Sequence, residues 1–267
     1  MSDRVAVSFD DGVADVRLNR ADKMNALDAA MFEALAETGR SLARDPALRA
    51  VVLSGEGRAF CAGLDVGSFG GRDAAAGKAL NLLDRPEGGP ATHAQLAADV
   101  WRELPVPVIA AVHGVAFGGG LQIALAADVR FVAPEAKLSV MEIKWGLIPD
   151  MTGSQTLRRL VRLDVAKDLT FTGRVVSGVE AVELGLATHL SDDPRKAASE
   201  MAREIASKSP DAIRAGKKLL EASGLVDLEA GLRLEAELQS ELLGSPNQIE
   251  TVRANLEKRE PRYRDPD

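Results

Sequence analysis

Residues 108–127 read VIAAVHGVAFGGGLQIALAA: a β-rich run from Val108 to Val112, a glycine-studded run from Gly114 to Gly120, and an apolar helix-forming stretch from Leu121 to Ala127. A strand feeding a helix through three successive glycines leaves backbone N–H groups at the helix N-terminus with no Cβ in front of them. A developing negative charge can then approach. The same run would also serve as a tight strand–helix turn, and by itself it does not separate the two. Gly114 to Gly120 does not fit the GxGxxG dinucleotide fingerprint, and the chain holds no GK[ST] phosphate loop and no GxSxG elbow.

Upstream, Val5 to Phe9 and Val13 to Leu18 are β-rich runs separated by Asp10-Asp11-Gly12, which predicts a hairpin. Asp28 is placed to cap a helix carrying Met31, Phe32, Leu35 and Leu42 at helical spacing, and Val51-Val52-Leu53-Ser54 predicts a buried strand. The chain therefore opens in the order ββαβ. From about Gly67 to Thr92 apolar periodicity fades apart from Leu80, Leu82 and Leu83, which predicts a loop or short helices able to act as a lid. A helix is predicted around Gln95 to Leu104 and a strand at Val129 to Val132.

Downstream, Ser177 with Glu180 fits a capping box, and Ser209-Pro210 and Ser245-Pro246 put serine at N-cap and proline at N1. Helices dominate after Ser191. Leu228, Leu232, Leu234, Leu238 and Leu242 give the helix between Val226 and Leu243 a broad apolar face, able to seal the core or meet a neighbouring subunit.

At 267 residues, with 46% apolar and 27% charged side chains, the chain can bury a sizeable core in one or two units. A net charge of -7 and a pI near 5.2 provide no global attraction for nucleic acid or an anionic membrane. The longest apolar stretch, Val106 to Phe117, is broken by Pro107 and His113 and falls short of the roughly 20 residues of a spanning helix. The polar opening Met1-Ser2-Asp3-Arg4 lacks a secretory signature, so a cytoplasmic protein is expected. One cysteine, Cys61, excludes an internal disulfide. His93, His113 and His189 show no metal-ligand spacing, so no metal is expected.

A second small-residue element, Phe60-Cys61-Ala62-Gly63-Leu64-Asp65, follows the strand ending near Ser54. With Leu18-Asn19-Arg20, Asn25-Ala26-Leu27, Ile109 to Gly120, Gly146-Leu147-Ile148-Pro149, and Thr172-Gly173 with Ala181 to Ala187, the chain resembles the crotonase (enoyl-CoA hydratase/isomerase) superfamily over nearly its whole length. The resemblance implies an α/β fold, a crotonase-like spiral of repeated ββα units over residues 1–190 holding an acyl-CoA site. It also implies a helical region over 191–267 that mediates homotrimers, often paired into homohexamers. By the same resemblance, backbone N–H groups of Ala62 and Gly119 form an oxyanion hole for the thioester oxygen. Asn25, Ala26, Leu64, Asp65 and Gly118 then lie near the bound acyl-CoA. Coenzyme A belongs to the substrate, and no separate cofactor is implied.

The family's hydratases use two glutamates to hold water and transfer protons. Here the first of those positions is Gln122 and the second is Glu142. An amide orients water but does not accept and return a proton as a carboxylate does. Asp150 supplies a different acid at a position where the family's dienoyl-CoA isomerases also carry one. Glu142 and Asp150 are therefore read as the acid/base pair of an enoyl-CoA double-bond isomerase. A 2-enoyl-CoA hydratase using Glu142 with a Gln122-positioned water is the alternative, and a non-catalytic acyl-CoA binding protein is the second. Trp145 is read as packing that could also touch the acyl group, Cys61 as a small buried filler and His113 as a turn residue.

Overall fold

The computed structural model describes residues 3–67, 81–86 and 89–266. β1 (Val5–Asp10) and β2 (Val13–Leu18) pair antiparallel from Val5↔Leu18 to Asp10↔Val13. Asp11 and Gly12 connect them with φ of 45° and 79°. Two successive left-handed residues form the short turn whose twist matches that of the flanking strands. α1 (Ala29–Leu42) starts where the Asp28 carboxylate accepts the Met31 N–H at 2.9 Å, and it buries Met31, Phe32, Leu35 and Leu42 as expected.

The remaining strands are β3 (Ala50–Gly55), β4 (Val108–Val112), β5 (Val115–Phe117), β6 (Val129–Val132), β7 (Lys137–Ser139), β8 (Val176–Ser177) and β9 (His189–Leu190). They form a six-stranded sheet of order β1-β2-β3-β4-β6-β9, parallel beyond the first hairpin, and a three-stranded sheet of order β5-β7-β8. Each passage through β4 and β5, and then through β6 and β7, goes from the large sheet to the small one and on into helical structure. This is the predicted spiral of ββα units.

The helices that follow α1 are α2 (His93–Glu103), α3 (Gly119–Leu125), α4 (Gly153–Leu160), α5 (Leu163–Thr172), α6 (Gly178–Leu184), α7 (Pro194–Ala206), α8 (Pro210–Ala222), α9 (Leu228–Leu242) and α10 (Pro246–Glu257). Side chains of a strand alternate between faces, so the unbroken apolar runs of β3 and β4 require cover on both sides. Val51, Leu53, Val108, Ala110 and Val112 enter the main core with Leu35 and Trp101. Ala50, Val52, Ile109 and Ala111 meet Ala198 and Ala202 of α7 on the other face. The first helix beyond residue 190 is therefore docked directly on the large sheet.

Element boundaries differ from expectation where caps decide them. α2 begins at His93 because Thr92 and Gln95 form a reciprocal capping box, with the Gln95 side-chain oxygen accepting the Thr92 N–H at 2.8 Å. α3 begins at Gly119, inside the triple glycine, because Gly118 turns the chain with φ 51° and ψ −121°. Ser177 and Ser245 accept the N–H groups of Glu180 and Gln248, whereas Ser209 makes no side-chain cap. On α9 only Leu238 is buried, while Leu228 and Leu232 are 79% and 55% exposed, so this face does not seal the core of the chain. Most of the expected lid segment, residues 68–80 and 87–88, lies outside the described residues. Among the described residues no helix is long and apolar enough to cross a membrane.

One polar residue ties the strand ends together. Asn25 is fully buried with φ 56°; its amide nitrogen donates to the carbonyls of Glu56, Ala59 and Phe60 at 3.0, 2.8 and 3.1 Å, and its oxygen accepts the Arg20 N–H at 2.8 Å. Each buried partner left without its bond costs about 1–3 kcal/mol. Asn25→Ala should destabilise the protein by about 2–4 kcal/mol in urea unfolding. Asn25→Asp should destabilise at least as much at neutral pH, because it sets a carboxylate against three carbonyl oxygens.

Candidate active site

Beyond β3 the chain runs alongside β5. The Phe60 N–H donates to His113 O at 2.9 Å, the Cys61 N–H to Val115 O at 3.0 Å, and the Phe117 N–H to Cys61 O at 3.0 Å. These bonds bring residues 62–64 against 117–119. Gly63 has φ 86°, and a Cβ on it would lie 2.5 Å from Phe117 O and 3.7 Å from the Gly119 nitrogen, so no larger residue fits this seam. A cavity of about 500 Å³ opens here, and Ala62, Leu64, Gly118, Gly119, Gln122, Glu142, Trp145 and Asp150 all contribute to its wall.

The availability of the amides corrects one expectation. The Ala62 N–H is already donated to Met24 O at 2.9 Å, so it is not free to meet a ligand oxygen. Among the described residues the N–H groups of Leu64 and Gly119 have no acceptor, and both residues line the cavity. Within the seam of residues 62–64 and 117–119, the unengaged donors are thus those of Leu64 and Gly119. An amide's engagement is a tertiary property, and no sequence signal distinguishes Ala62 from Leu64 in this respect.

Glu142 sits in the 3-10 turn Met141–Trp145 and is buried, with only 8% exposure. Its Oε1 accepts the Gln122 Nε2–H at 2.6 Å, while its Oε2 is buried without a hydrogen-bond partner. A Cβ on Gly118 would lie 3.3 Å from that carboxylate, which places Glu142 directly over the glycine turn. Burial raises the Glu142 pKa above the usual carboxylate value, and the charge of Asp150 raises it further, while the Gln122 hydrogen bond opposes the rise. Asp150 reaches solvent at the cavity rim, yet the protein packed around its carboxylate also raises its pKa through desolvation.

Gln122 is locked in one orientation. Its Oε1 accepts the N–H groups of Met151 and Gly153 at 2.8 and 2.9 Å, so both lone pairs of the amide oxygen are used. That geometry departs from a water-holding role, because one Nε2 hydrogen is the sole polar valence left to face a ligand. Gln122 instead fastens the 151–153 backbone to Glu142.

The other expected residues divide. Leu64, Gly118 and Trp145 line the cavity, Trp145 with 57% of its surface exposed. Asn25 does not, for its side chain is committed to the strand ends. Ala26 offers its carbonyl to Arg20, and the Asp65 carboxylate is 2.7 Å from the Arg20 guanidinium. These three residues brace the loop behind the cavity. The Cys61 thiol is buried, donates to Asn25 O at 3.1 Å and has its pKa pushed up to about 12 by burial, so it stays an uncharged filler. His113 holds Gly57 O at 2.9 Å, in keeping with a turn residue. The sequence reading missed the apolar walls formed by Leu27, Phe32, Phe117, Leu147 and Met151. Such residues look like ordinary core in a sequence.

A family model described as enoyl-CoA hydratase/isomerase matches residues 8–266. The chain belongs to that family. Methylglutaconyl-CoA hydratase, mitochondrial, of Mus musculus is 33% identical over 261 residues, covering 95% of this chain and 80% of that protein. Enoyl-CoA hydratase domain-containing protein 2, mitochondrial, of Homo sapiens is 33% identical over 270 residues, covering 97% and 88%. A crystal structure of enoyl-CoA hydratase from Bacillus anthracis superposes with a TM-score of 0.88 at 32% identity, covering 98% of this chain and all of that one. The fold is therefore that of the crotonase superfamily, and the chain is an acyl-CoA enzyme of the enoyl-CoA hydratase/isomerase family.

Within this family frame the raised pKa of Glu142 has a sign that experiment can read. A carboxyl with a raised native pKa lends stability below its unfolded pKa, and that stability is lost as pH rises through the native value. Glu142→Gln should therefore raise the melting temperature at pH 8, and the gain should fade as pH falls below the ordinary glutamate value. Asp150→Asn removes one cause of the shift, so the acid limb of any residual kcat/KM profile should move to lower pH.

Proposed function

We propose that the chain is an enoyl-CoA double-bond isomerase in which Glu142 carries the proton. The observation that supports this is the buried Glu142 carboxylate, whose Oε2 has no hydrogen-bond partner, in the wall of a cavity that also holds Leu64 and Gly119 with their unengaged amides. The thioester oxygen takes both amides, which stabilise negative charge as it accumulates; losing one such donor typically costs about 2.7–4 kcal/mol of barrier. Glu142 Oε2 removes a proton from the carbon beside the thioester and leaves a dienolate. The proton returns at the far end of the conjugated system, from Glu142 or from Asp150 acting as the second acid. A proton leaves carbon and comes back to carbon, so the step needs neither a redox partner nor a cofactor apart from the substrate's own CoA.

The hydratase alternative draws support from relatives that are named hydratases. It requires a second group to activate water, and Gln122 has spent its acceptors on Met151 and Gly153. The non-catalytic alternative would leave the buried Glu142 Oε2 without a partner and without a use.

Three variants separate these readings with 3-enoyl-CoA and 2-enoyl-CoA substrates followed by absorbance and mass. Glu142→Gln should bind acyl-CoA and lose a factor of about 10²–10⁴ in turnover, the usual cost of removing a general acid–base group. Asp150→Asn should depress isomerisation strongly. Gln122→Glu should raise hydration of the 2-enoyl-CoA. Wild-type hydration that Gln122→Glu does not increase, combined with an inert Asp150→Asn, would promote the hydratase reading. Absence of turnover with intact binding would promote the non-catalytic one.

The exposed apolar residues of the C-terminal helices, including Leu220, Leu228, Leu232 and Leu256, support assembly into a homotrimer or homohexamer through this region. Light scattering should return three or six times the 28.3 kDa chain mass, and a monomer at micromolar concentration would contradict it.

A further inference from the structure

From the charge of the cavity wall, we infer that the site selects acyl-CoA thioesters with an uncharged acyl group and rejects those whose acyl group ends in a carboxylate. The inference rests on the acyl-CoA reading of the cavity and not on the isomerase chemistry. Apart from the Glu142–Gln122 pair and Asp150, the wall is built from side chains such as Leu27, Phe32, Leu82, Phe117, Leu147 and Met151. Among the described residues, no lysine, arginine or histidine lines it. Both charged groups present are carboxylates, and they already feel one another, since Asp150 adds to the raised pKa of Glu142.

An acyl tail ending in a methyl group finds apolar contacts along this wall, and the exposed faces of Trp145 and Leu147 at the mouth extend them. A tail ending in a carboxylate finds no cationic partner among those residues and two like charges within the same cavity. It would shed its hydration and meet repulsion that low-dielectric walls strengthen. Asp150 makes the larger contribution, because it stands at the rim, where a tail can reach it, and no side-chain donor is hydrogen-bonded to its carboxylate among the described residues. Asp150 is thus a specificity-determining residue.

Saturated thioesters test this without turnover. Hexanoyl-CoA and adipoyl-CoA have six-carbon acyl groups that differ at the end, a methyl in one and a carboxylate in the other, and free CoA serves as the reference in calorimetric titrations at pH 7.5. Hexanoyl-CoA should bind at least about tenfold more tightly than adipoyl-CoA, the scale of a like-charge encounter at a partly solvated site. Asp150→Asn should narrow that gap severalfold, mainly by improving adipoyl-CoA. Equal or tighter binding of adipoyl-CoA by the wild type would overturn the inference, as would a gap unchanged in Asp150→Asn. Hexanoyl-CoA binding no better than CoA itself would instead overturn the acyl-CoA reading of the cavity, and the selectivity with it.

Discussion

The site depends on the close approach of two stretches of main chain, residues 58–63 beside residues 113–119. Three backbone hydrogen bonds stitch them together, from Phe60, Cys61 and Phe117. A Cβ at Gly114 would lie 2.0 Å from Arg58 O, and that glycine has φ 61°. With any other residue the seam would open, the two sheets would lose their junction, and the Leu64 and Gly119 amides would no longer line one cavity. The requirement is steric first and chemical second: the chain uses glycine because backbone must touch backbone, and exposed amides are the consequence.

A second constraint concerns polar groups that have been withdrawn from water. Gln122 satisfies two backbone N–H groups of the 151–153 segment and one oxygen of Glu142, so a single neutral side chain orders three parts of the wall. A carboxylate at position 122 would bring a second negative charge within hydrogen-bond distance of Glu142 Oε1, and the two groups would have to share a proton or separate. With an amide there, Glu142 is left as the one deeply buried acid of the cavity among the described residues. Its second oxygen goes without a partner, a cost that a core position would avoid by hydrogen bonding. Native proteins tolerate such groups at sites where the unsatisfied valence meets a substrate.

The large sheet separates two packing problems. One face carries the layers that hold the candidate site, where Leu35 of α1, Trp101 of α2 and Leu121 of α3 join the core residues of β3 and β4. The other is closed by the small residues Ala198 and Ala202 of α7, which let a helix lie close to the strands. The helices beyond α7 leave large apolar residues facing solvent. Their apolar area does not stabilise the chain's own core, and that is the physical basis for reading them as an assembly surface.

Much of the fold was legible because its signals are local. The hairpin at Asp11-Gly12, the Asp28 cap, the two-face apolar runs of β3 and β4 and the triple glycine each follow from the conformational range or alternation of a few neighbouring residues. Glu142, Asp150 and Gln122 were singled out through the resemblance to the family, whose acid/base positions they match, because residue type and spacing alone do not set them apart from ordinary surface or turn residues. What the sequence could not contain is the state of each polar group after folding. That the Ala62 amide is consumed by Met24, that the Leu64 amide is left open, and that Gln122 faces two backbone donors are decided by contacts between segments far apart in the chain. Asn25 shows the same limit: the resemblance implied a ligand contact, and its neighbours in space are the three carbonyls of Glu56, Ala59 and Phe60. Residue type sets which bonds a side chain is able to make, and only the tertiary structure determines which of them are already taken.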